Sequence, residues 1–170
     1  MEPDGSRTRR DPIELAIENW TAQGWADATP GMAMVTSVMR VQQLLLQQVE
    51  RVLRPMGLTF ARYEVLMLLS FSRTGALPVG KIGERLQVHP ASVTNAVDRL
   101  EDDGLVQRVA NPQDGRSVLA RITGRGRRLA AEASAELNRD VFTKVPLPVA
   151  DLDSLFAVLR DLRRAFGDFT

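Results

Sequence analysis

The stretch that decides the fold runs from His89 to Arg121, and its centre is the segment Pro90-Ala-Ser-Val-Thr-Asn-Ala-Val-Asp-Arg-Leu100. Written as a helix, this segment places its apolar side chains on one face, namely Val93, Ala96, Val97 and Leu100. The opposite face carries short side chains, namely Ala91, Ser92, Thr94, Asn95, Asp98 and Arg99. A helix with small polar residues in its first turns can enter a major groove and reach base edges. The segment is therefore predicted to be anchored by one face and to read nucleic acid with the other.

A hairpin is predicted directly after this helix. Asp103-Gly104 ends the helix, and two strands, Leu105–Val109 and Val118–Ile122, flank a turn at Asn111–Arg116. A helix followed by such a hairpin is the arrangement of a winged helix. Residues 105–128 contain six arginines and one acid, hence a local net charge of +5, whereas the whole chain carries +1. Positive charge concentrated on the hairpin can attract phosphates although the protein is nearly neutral.

Composition restricts the class of protein. A chain of 170 residues with 44% hydrophobic and 25% charged residues is typical of a folded domain of ordinary size. No apolar run is long enough to span a bilayer, and residues 1–5 lack the layout of a secretory signal, so we expect a cytoplasmic protein without membrane contact. The absence of cysteine excludes disulfides, thiolate metal sites and cysteine nucleophiles.

The fold class predicted for the whole chain is mainly α (α+β). Residues 1–10 are expected to form a mobile tail, residues 11–58 N-terminal helices, residues 59–123 the winged helix and residues 124–170 C-terminal helices. The helices are expected to begin at Asp11-Pro12, Met32, Thr59, Pro78, Thr123 and Asp151, with a break at Gly24 and at Thr29-Pro-Gly31. Gly83 permits a close crossing of the helices on either side of the helix-turn-helix bend.

Two of these helices carry apolar stripes that need a partner. The stripe on the helix of residues 32–54 includes Val35, Val38 and Leu45, and the last helix has Leu155 and Phe156 among its apolar residues. By contrast, Val65–Leu69 is apolar on nearly all sides and is expected deep in the core.

The sequence blocks resemble those of the MarR family of winged-helix transcription regulators, over roughly residues 30–145. The matching blocks are Thr59–Leu66, Gly80–Leu86, His89–Gly104, Asn111–Arg116 and Ile122–Gly126. The resemblance implies a homodimer that binds inverted-repeat operators in double-stranded DNA. It also implies a small-molecule effector, whose identity the sequence does not give, and a regulator that is most often a repressor.

The resemblance further implies which residues meet DNA. The residues assigned to the major groove are Pro90, Ala91, Ser92, Thr94 and Asn95. Arg99 is assigned either to a phosphate or to holding the wing. Asp114-Gly-Arg116 matches an acid-x-arginine pattern in which the arginine enters the minor groove and the acid braces the wing. Gly115 stands where relatives often have arginine.

An added N-terminal helix resembles the urate-responsive branch of the family. Trp20 and Arg108 match the tryptophan and one arginine of that branch's ligand site, and Glu64 replaces an aspartate. Ala96 occupies the place of the second arginine, so the full ligand signature is not present. A ligand pocket at Trp20, Glu64 and Arg108 is one interpretation, and core packing of Trp20 with an ion pair at Glu64 is the other.

Catalysis is not expected. The only histidine, His89, lies at the start of the predicted reading helix, where a helix cap or a phosphate contact is a better interpretation than a catalytic base. The sequence has no glycine-rich phosphate loop after a strand and no clustered metal ligands, so neither a cofactor nor a metal is predicted. The alternative function is a winged helix that contacts other proteins without sequence-specific DNA binding.

Overall fold

The computed structural model describes residues 10–112, 114 and 117–169. Within these ranges it has seven α-helices: α1 (Pro12–Ala22), α2 (Thr29–Leu53), α3 (Phe60–Phe71), α4 (Val79–Leu86), α5 (Pro90–Asp102), α6 (Gly124–Asp140) and α7 (Val149–Ala165). Short 3₁₀ turns follow α1, α2 and α6, at Ala26–Ala28, Arg54–Met56 and Phe142–Lys144. The predicted tail of residues 1–10 lies outside the described residues except for Arg10.

The described part of the chain contains three strands, which form one small antiparallel sheet in the order β1-β3-β2, with β1 at Ala76–Pro78, β2 at Val106–Ala110 and β3 at Val118–Ile122. The hairpin β2–β3 is the wing, as predicted, and Val106 lies opposite Ile122 in its register. Strand β1 was not predicted from the sequence. It has only three residues and ends in a proline, so it lacks the alternating pattern by which strands are recognised.

Side-chain caps begin three helices where the sequence predicted them. Asp11 accepts a hydrogen bond from the backbone N–H of Ile13 at 2.9 Å, and Thr59 and Thr123 cap α3 and α6 in the same way. Two predicted helix starts were wrong. Helix α2 begins at Thr29, because a proline in the first turn of a helix lacks only an N–H that would have no intrahelical partner. Helix α7 begins at Val149, directly after Pro148, and not at Asp151.

The core joins the second half of α2 to the winged helix. Leu53 of α2, Leu66 of α3, Ile82 of α4, Leu100 of α5 and Leu137 of α6 are all fully buried in one cluster. A Cβ on Gly83 would lie 3.3 Å from Cγ2 of Val93, which confirms that α4 and α5 cross closely at this glycine. The reading helix is thus held by the protein interior along its whole apolar face.

Two helical faces remain uncovered in the single chain. Val35, Val38 and Leu45 in the first part of α2 are 48%, 39% and 48% exposed, whereas Val49 further along the same helix is buried. In α7, Leu155 and Phe156 are 45% and 60% exposed. No helix in the described part of the chain is both long and apolar enough to cross a lipid bilayer.

Candidate nucleic-acid interface

Helix α5 has the two faces that its sequence predicts. Val93, Ala96, Val97 and Leu100 are buried, and every side chain assigned to the major groove is exposed, namely Pro90, Ala91, Ser92, Thr94 and Asn95. The division into an anchoring face and an exposed face is therefore confirmed. The contact of these exposed residues with bases stays a prediction.

His89 sits at the N-cap of α5. Its ring Nδ1 accepts a hydrogen bond from the backbone N–H of Ala91 at 3.2 Å, which confirms the predicted capping role. The cap satisfies a backbone donor at the end of the helix that faces solvent. The first turn, which carries the candidate reading residues, is thereby kept helical.

A groove of about 630 Å³ runs between α3 and α5, beside the reading residues. Ser92 and Asn95 line this groove from α5. Two arginines also line it, Arg62 from α3 and Arg99 from α5. Both cations have only loose acidic partners, since Arg62 lies 3.3 Å from Asp103 and Arg99 lies 4.0 Å from an exposed Asp102 carboxylate. Arg99 and Asp102 are both exposed, and Arg62 is 21% exposed beside a half-exposed Asp103, so water reaches both pairs and either arginine can exchange its partner for a phosphate oxygen.

Arg62 was not singled out from the sequence. It is the third residue of α3, and its closeness to Arg99 arises only when α3 packs against α5. A contact between residues so far apart in the chain leaves no signal in local spacing.

The wing turn is closed by polar side chains. The side-chain amide of Asn111 donates to Oγ of Ser117 at 2.7 Å, and the backbone N–H of Ser117 donates to the carbonyl of Asp114 at 3.0 Å. Asp114 is exposed in this turn. Gly115 and Arg116 lie outside the described residues, so the predicted minor-groove contact of Arg116 stays a prediction.

Arg108 ties the wing to the reading helix. Its guanidinium lies 2.6 Å from a carboxylate oxygen of Asp98 and 2.6 Å from one of Glu101, and its backbone N–H donates to Glu101 at 2.9 Å. The hydrogen bond from the backbone N–H of Arg108, followed by that from its side chain, lowers the pKa of Glu101. Hydrogen bonding to Glu101 raises the pKa of Arg108 in turn. One of the six arginines counted in the basic segment is thus paired with two acids of the same chain.

Charge is distributed unevenly along α5 and the elements that follow it. Four acids, Asp98, Glu101, Asp102 and Asp103, lie in the second half of α5 or just after it and pair with three arginines, so this end of the helix carries a small excess of negative charge. On the wing and at the start of α6, Arg121, Arg127 and Arg128 are exposed and form no ion pair with any residue that the structure describes. The chain can therefore approach DNA favourably with the first half of α5 and with the wing.

The three residues predicted for a ligand pocket have separate surroundings in the single chain. Trp20 packs on Trp25, with ring centroids 5.3 Å apart at an interplanar angle of 69°, and α1 packs chiefly on α2. Glu64 lines a different groove, between α3 and α6, where burial raises its pKa. Arg108 is engaged by its two acids. The ion pair that was the other interpretation of Glu64 is not formed with any described residue.

Comparisons with known proteins reach along most of the chain. A family model described as MarR family matches residues 58–118. An HTH-type transcriptional repressor of Mycobacterium tuberculosis is 35% identical over 96 residues, which cover 56% of this chain and 68% of the relative. The structure of a MarR family transcriptional regulator from Streptomyces coelicolor is 51% identical with a TM-score of 0.75, covering 82% of this chain and 97% of that one. CouR from Rhodococcus jostii, bound to p-coumaroyl-CoA, is 27% identical with a TM-score of 0.68, covering 81% and 94% of the two chains.

Proposed function

Because this chain belongs to the MarR family of winged-helix transcription regulators, we propose that its homodimer represses transcription by binding an inverted-repeat operator in double-stranded DNA. The observation that carries the proposal is the division of α5, whose buried face is locked in the core while its first turns present small polar side chains to solvent. In this proposal the protein binds DNA in the cytoplasm and does not catalyse a reaction.

Each exposed residue of α5 has a role that suits its chemistry. The amide of Asn95 can bond the two major-groove atoms of adenine, and the hydroxyls of Ser92 and Thr94 can bond several bases. Pro90 and Ala91 offer apolar contacts to a thymine methyl group. The side chains assigned to the sugar-phosphate backbone and the minor groove are Arg62, Arg99 and Arg116, and Asp114 is assigned to bracing the wing.

The homodimer is supported by the two uncovered apolar faces, on the first part of α2 and on α7. Apolar side chains in a row on adjacent turns are the usual content of an interface between identical subunits. Each subunit then presents one α5, and the two-fold axis between them explains why an inverted repeat is the matching operator.

A small-molecule effector is proposed to act between the dimer helices and the winged helix. Glu64 lies on α3, which belongs to the winged helix, and its groove is also lined by α6, which continues toward α7. A ligand that binds the dimer better at one separation of its two α5 helices than at another shifts the affinity for DNA. DNA then shifts the affinity for the ligand by the same factor. Trp20 of α1 is proposed to contribute as well: Trp20→Phe should change the response to an active effector, and an unaltered response would remove Trp20 from the effector site.

The test of operator reading is fluorescence anisotropy with two duplexes, one from the intergenic region upstream of the protein's own gene and one with the same bases shuffled. Both are titrated at two fixed salt concentrations, because charge alone produces salt-sensitive binding to any sequence. We expect preference for the native duplex, retained at the higher salt, with one dimer per site. Asn95→Ala should reduce that preference, and Asn19→Ala, an exposed amide on α1, is the matched control. Equal binding of the two duplexes would instead support a winged helix that contacts proteins.

A further inference from the structure

The groove that contains Glu64 is lined by ten described residues, of which four are aromatic. It has a volume of about 500 Å³ and lies between α3 and α6. Its walls include Phe60, Tyr63 and Phe71 of α3 and Phe142, which follows α6. Phe71 and Phe142 are 79% and 48% exposed, so ring surface is open to a ligand from solvent. The sulfur-containing side chain of Met67 lies among these rings and adds a polarisable contact.

Among the described residues, Glu64 is the one charged side chain that lines this groove. It is half-buried, and it has no hydrogen bond or ion pair with any residue in the described part of the chain. The neighbouring hydroxyls are already engaged, because Ser134 lies 3.0 Å from the Tyr63 hydroxyl and donates to the carbonyl of Ala130 at 2.8 Å. A carboxylate partly withdrawn from water without a partner is a costly arrangement that a cation would relieve.

We propose that this groove binds a lipophilic organic cation, such as an aromatic quaternary ammonium or phosphonium compound. The inference rests on the proposed function in that this cation would be the effector of the regulator. Aromatic faces attract a cation through their negative ring faces, and the attraction grows when the cation is partly desolvated. Glu64 supplies the compensating charge, and the rings supply the apolar contact.

The same lining disfavours an anion. None of the described residues that line the groove is an arginine, lysine or histidine, and an anion would lie beside the carboxylate of Glu64. Arg108, the arginine that the urate-responsive branch would bring to its ligand, is paired with Asp98 and Glu101 and is not among the described residues that line this groove. The effector class therefore differs from the anionic urate to which the resemblance first pointed.

The test uses two ions of almost the same shape and opposite charge, tetraphenylphosphonium and tetraphenylborate, titrated into the purified full-length protein by isothermal calorimetry. We expect tetraphenylphosphonium to bind at least tenfold more tightly. Glu64→Gln should weaken tetraphenylphosphonium about tenfold and leave tetraphenylborate unchanged or tighter. Glu132→Gln is the matched control, because Glu132 lies on the exposed side of α6 outside this groove. Tighter binding of tetraphenylborate, or an unchanged affinity in Glu64→Gln, would overturn the proposal.

A second variant separates ring recognition from apolar contact. Phe142→Leu keeps an apolar side chain but removes one ring, so it should weaken tetraphenylphosphonium a few-fold and leave tetraphenylborate unaffected. If the groove is instead covered by the second copy of the chain, neither ion will bind there, and Glu64→Gln will alter the dimer dissociation measured by analytical ultracentrifugation. That pair of results would also overturn the proposal.

The inference and the proposed function fail separately. Operator anisotropy without any added ion reports DNA reading alone. If the operator is bound and tetraphenylphosphonium is not, the cation site is refuted and the repressor stands. If the ion binds through Glu64 and no operator is recognised, the repressor is refuted and the cation site stands.

Discussion

Replacing Arg108 with methionine should loosen the wing while leaving the fold intact. The change removes two ion-pair contacts, each 2.6 Å long, to Asp98 and Glu101, and keeps the backbone hydrogen bond to Glu101. The side chain of Arg108 is 28% exposed, and those of Asp98 and Glu101 are 53% and 38% exposed. Water therefore screens both pairs, and each is expected to contribute about 0.2–1 kcal/mol. The free energy of unfolding, measured by urea denaturation, should fall by about 1 kcal/mol.

The effect of Arg108→Met on DNA should be larger than this loss of stability suggests. Arg108 joins β2 to α5, so its loss frees the wing to move relative to the reading helix. The proposed contact of Arg116 with the minor groove is worth about 1–3 kcal/mol of binding, so its loss should reduce operator affinity about 5- to 150-fold. Anisotropy with the operator duplex measures the change. Arg121→Met, which removes an exposed charge without an ion pair in the described ranges, is the control for charge alone.

One result would refute the positioning role of Arg108. If Arg108→Met loses stability as expected but binds the operator no more weakly than Arg121→Met, the ion pairs stabilise the protein without orienting the wing. A double-mutant cycle with Asp98→Asn adds a second check, because residues that act through one contact show non-additive effects. We expect the operator affinities of that cycle to be non-additive.

The same link has a defined pH dependence. The pKa of Glu101 is lowered in the folded protein, chiefly by the hydrogen bond from the backbone N–H of Arg108. Its stabilising contribution is therefore present above the ordinary value of 4.5 and is lost as the pH falls below that value toward the folded-state pKa. The unfolding free energy of the wild type should fall more steeply below pH 4.5 than that of Glu101→Gln. Parallel curves for the two proteins would contradict this assignment.

Three further perturbations test other parts of the structure. Gly126→Ala should destabilise the fold by about 1–3 kcal/mol, because its Cβ would lie 2.2 Å from the carbonyl oxygen of Leu105, whereas at Gly124 the nearest atom is 3.7 Å away and alanine should be tolerated. Thermal unfolding of both variants decides the point, and equal melting temperatures would contradict it. Glu64→Gln should raise the unfolding free energy at pH 7, because burial raises the pKa of this carboxyl, and the gain should disappear below about pH 4.5. A gain that persists in acid would show another cause. His89→Ala should cost about 0.5–1 kcal/mol through loss of the α5 cap, and His89→Asn should restore it in urea denaturation.

The elements predicted best from the sequence are those with local signals. The caps at Asp11, Thr59 and Thr123 satisfy backbone donors two or three residues away, so the residue type alone announces the helix start. The amphipathic pattern of α5 likewise depends only on spacing within the helix. Strand β1 had no such signal, because its existence depends on pairing with β3, more than forty residues later in the chain.

Only part of the surroundings of Arg108 could be predicted from the sequence. The alternation of β2 places Arg108 on the same face as buried Val106, so its direction toward the interior could have been read from the strand. Its partners could not, since Asp98 and Glu101 are brought to it by the packing of the wing on α5. Its match to a ligand arginine of the urate-responsive branch therefore gave no sign of the ion pairs that engage it.

The groove beside Glu64 could not be predicted from the sequence either. Val65, Leu66 and Leu69 are buried as the apolar run predicts, but Met67 and Leu68 in the same run are only half-buried and line the groove. A continuous apolar segment does not reveal which of its faces the protein leaves open. The position of α6 determines which face of α3 stays open.

The length of α2 gives the proposed dimer a mechanical property. Its 25 residues form one uninterrupted rod of about 37 Å, with the uncovered apolar face at one end and the core of the reading head at the other. A tilt of about 5° at the uncovered end sweeps the far end through an arc of about 3 Å, which is close to the rise of one base pair, about 3.4 Å. In the proposed dimer, two α2 helices that tilt in opposite senses would displace both α5 helices from the operator half-sites. An effector that acted on the proposed dimer in this way would need to change an angle by only a few degrees, without unfolding any part of the winged helix.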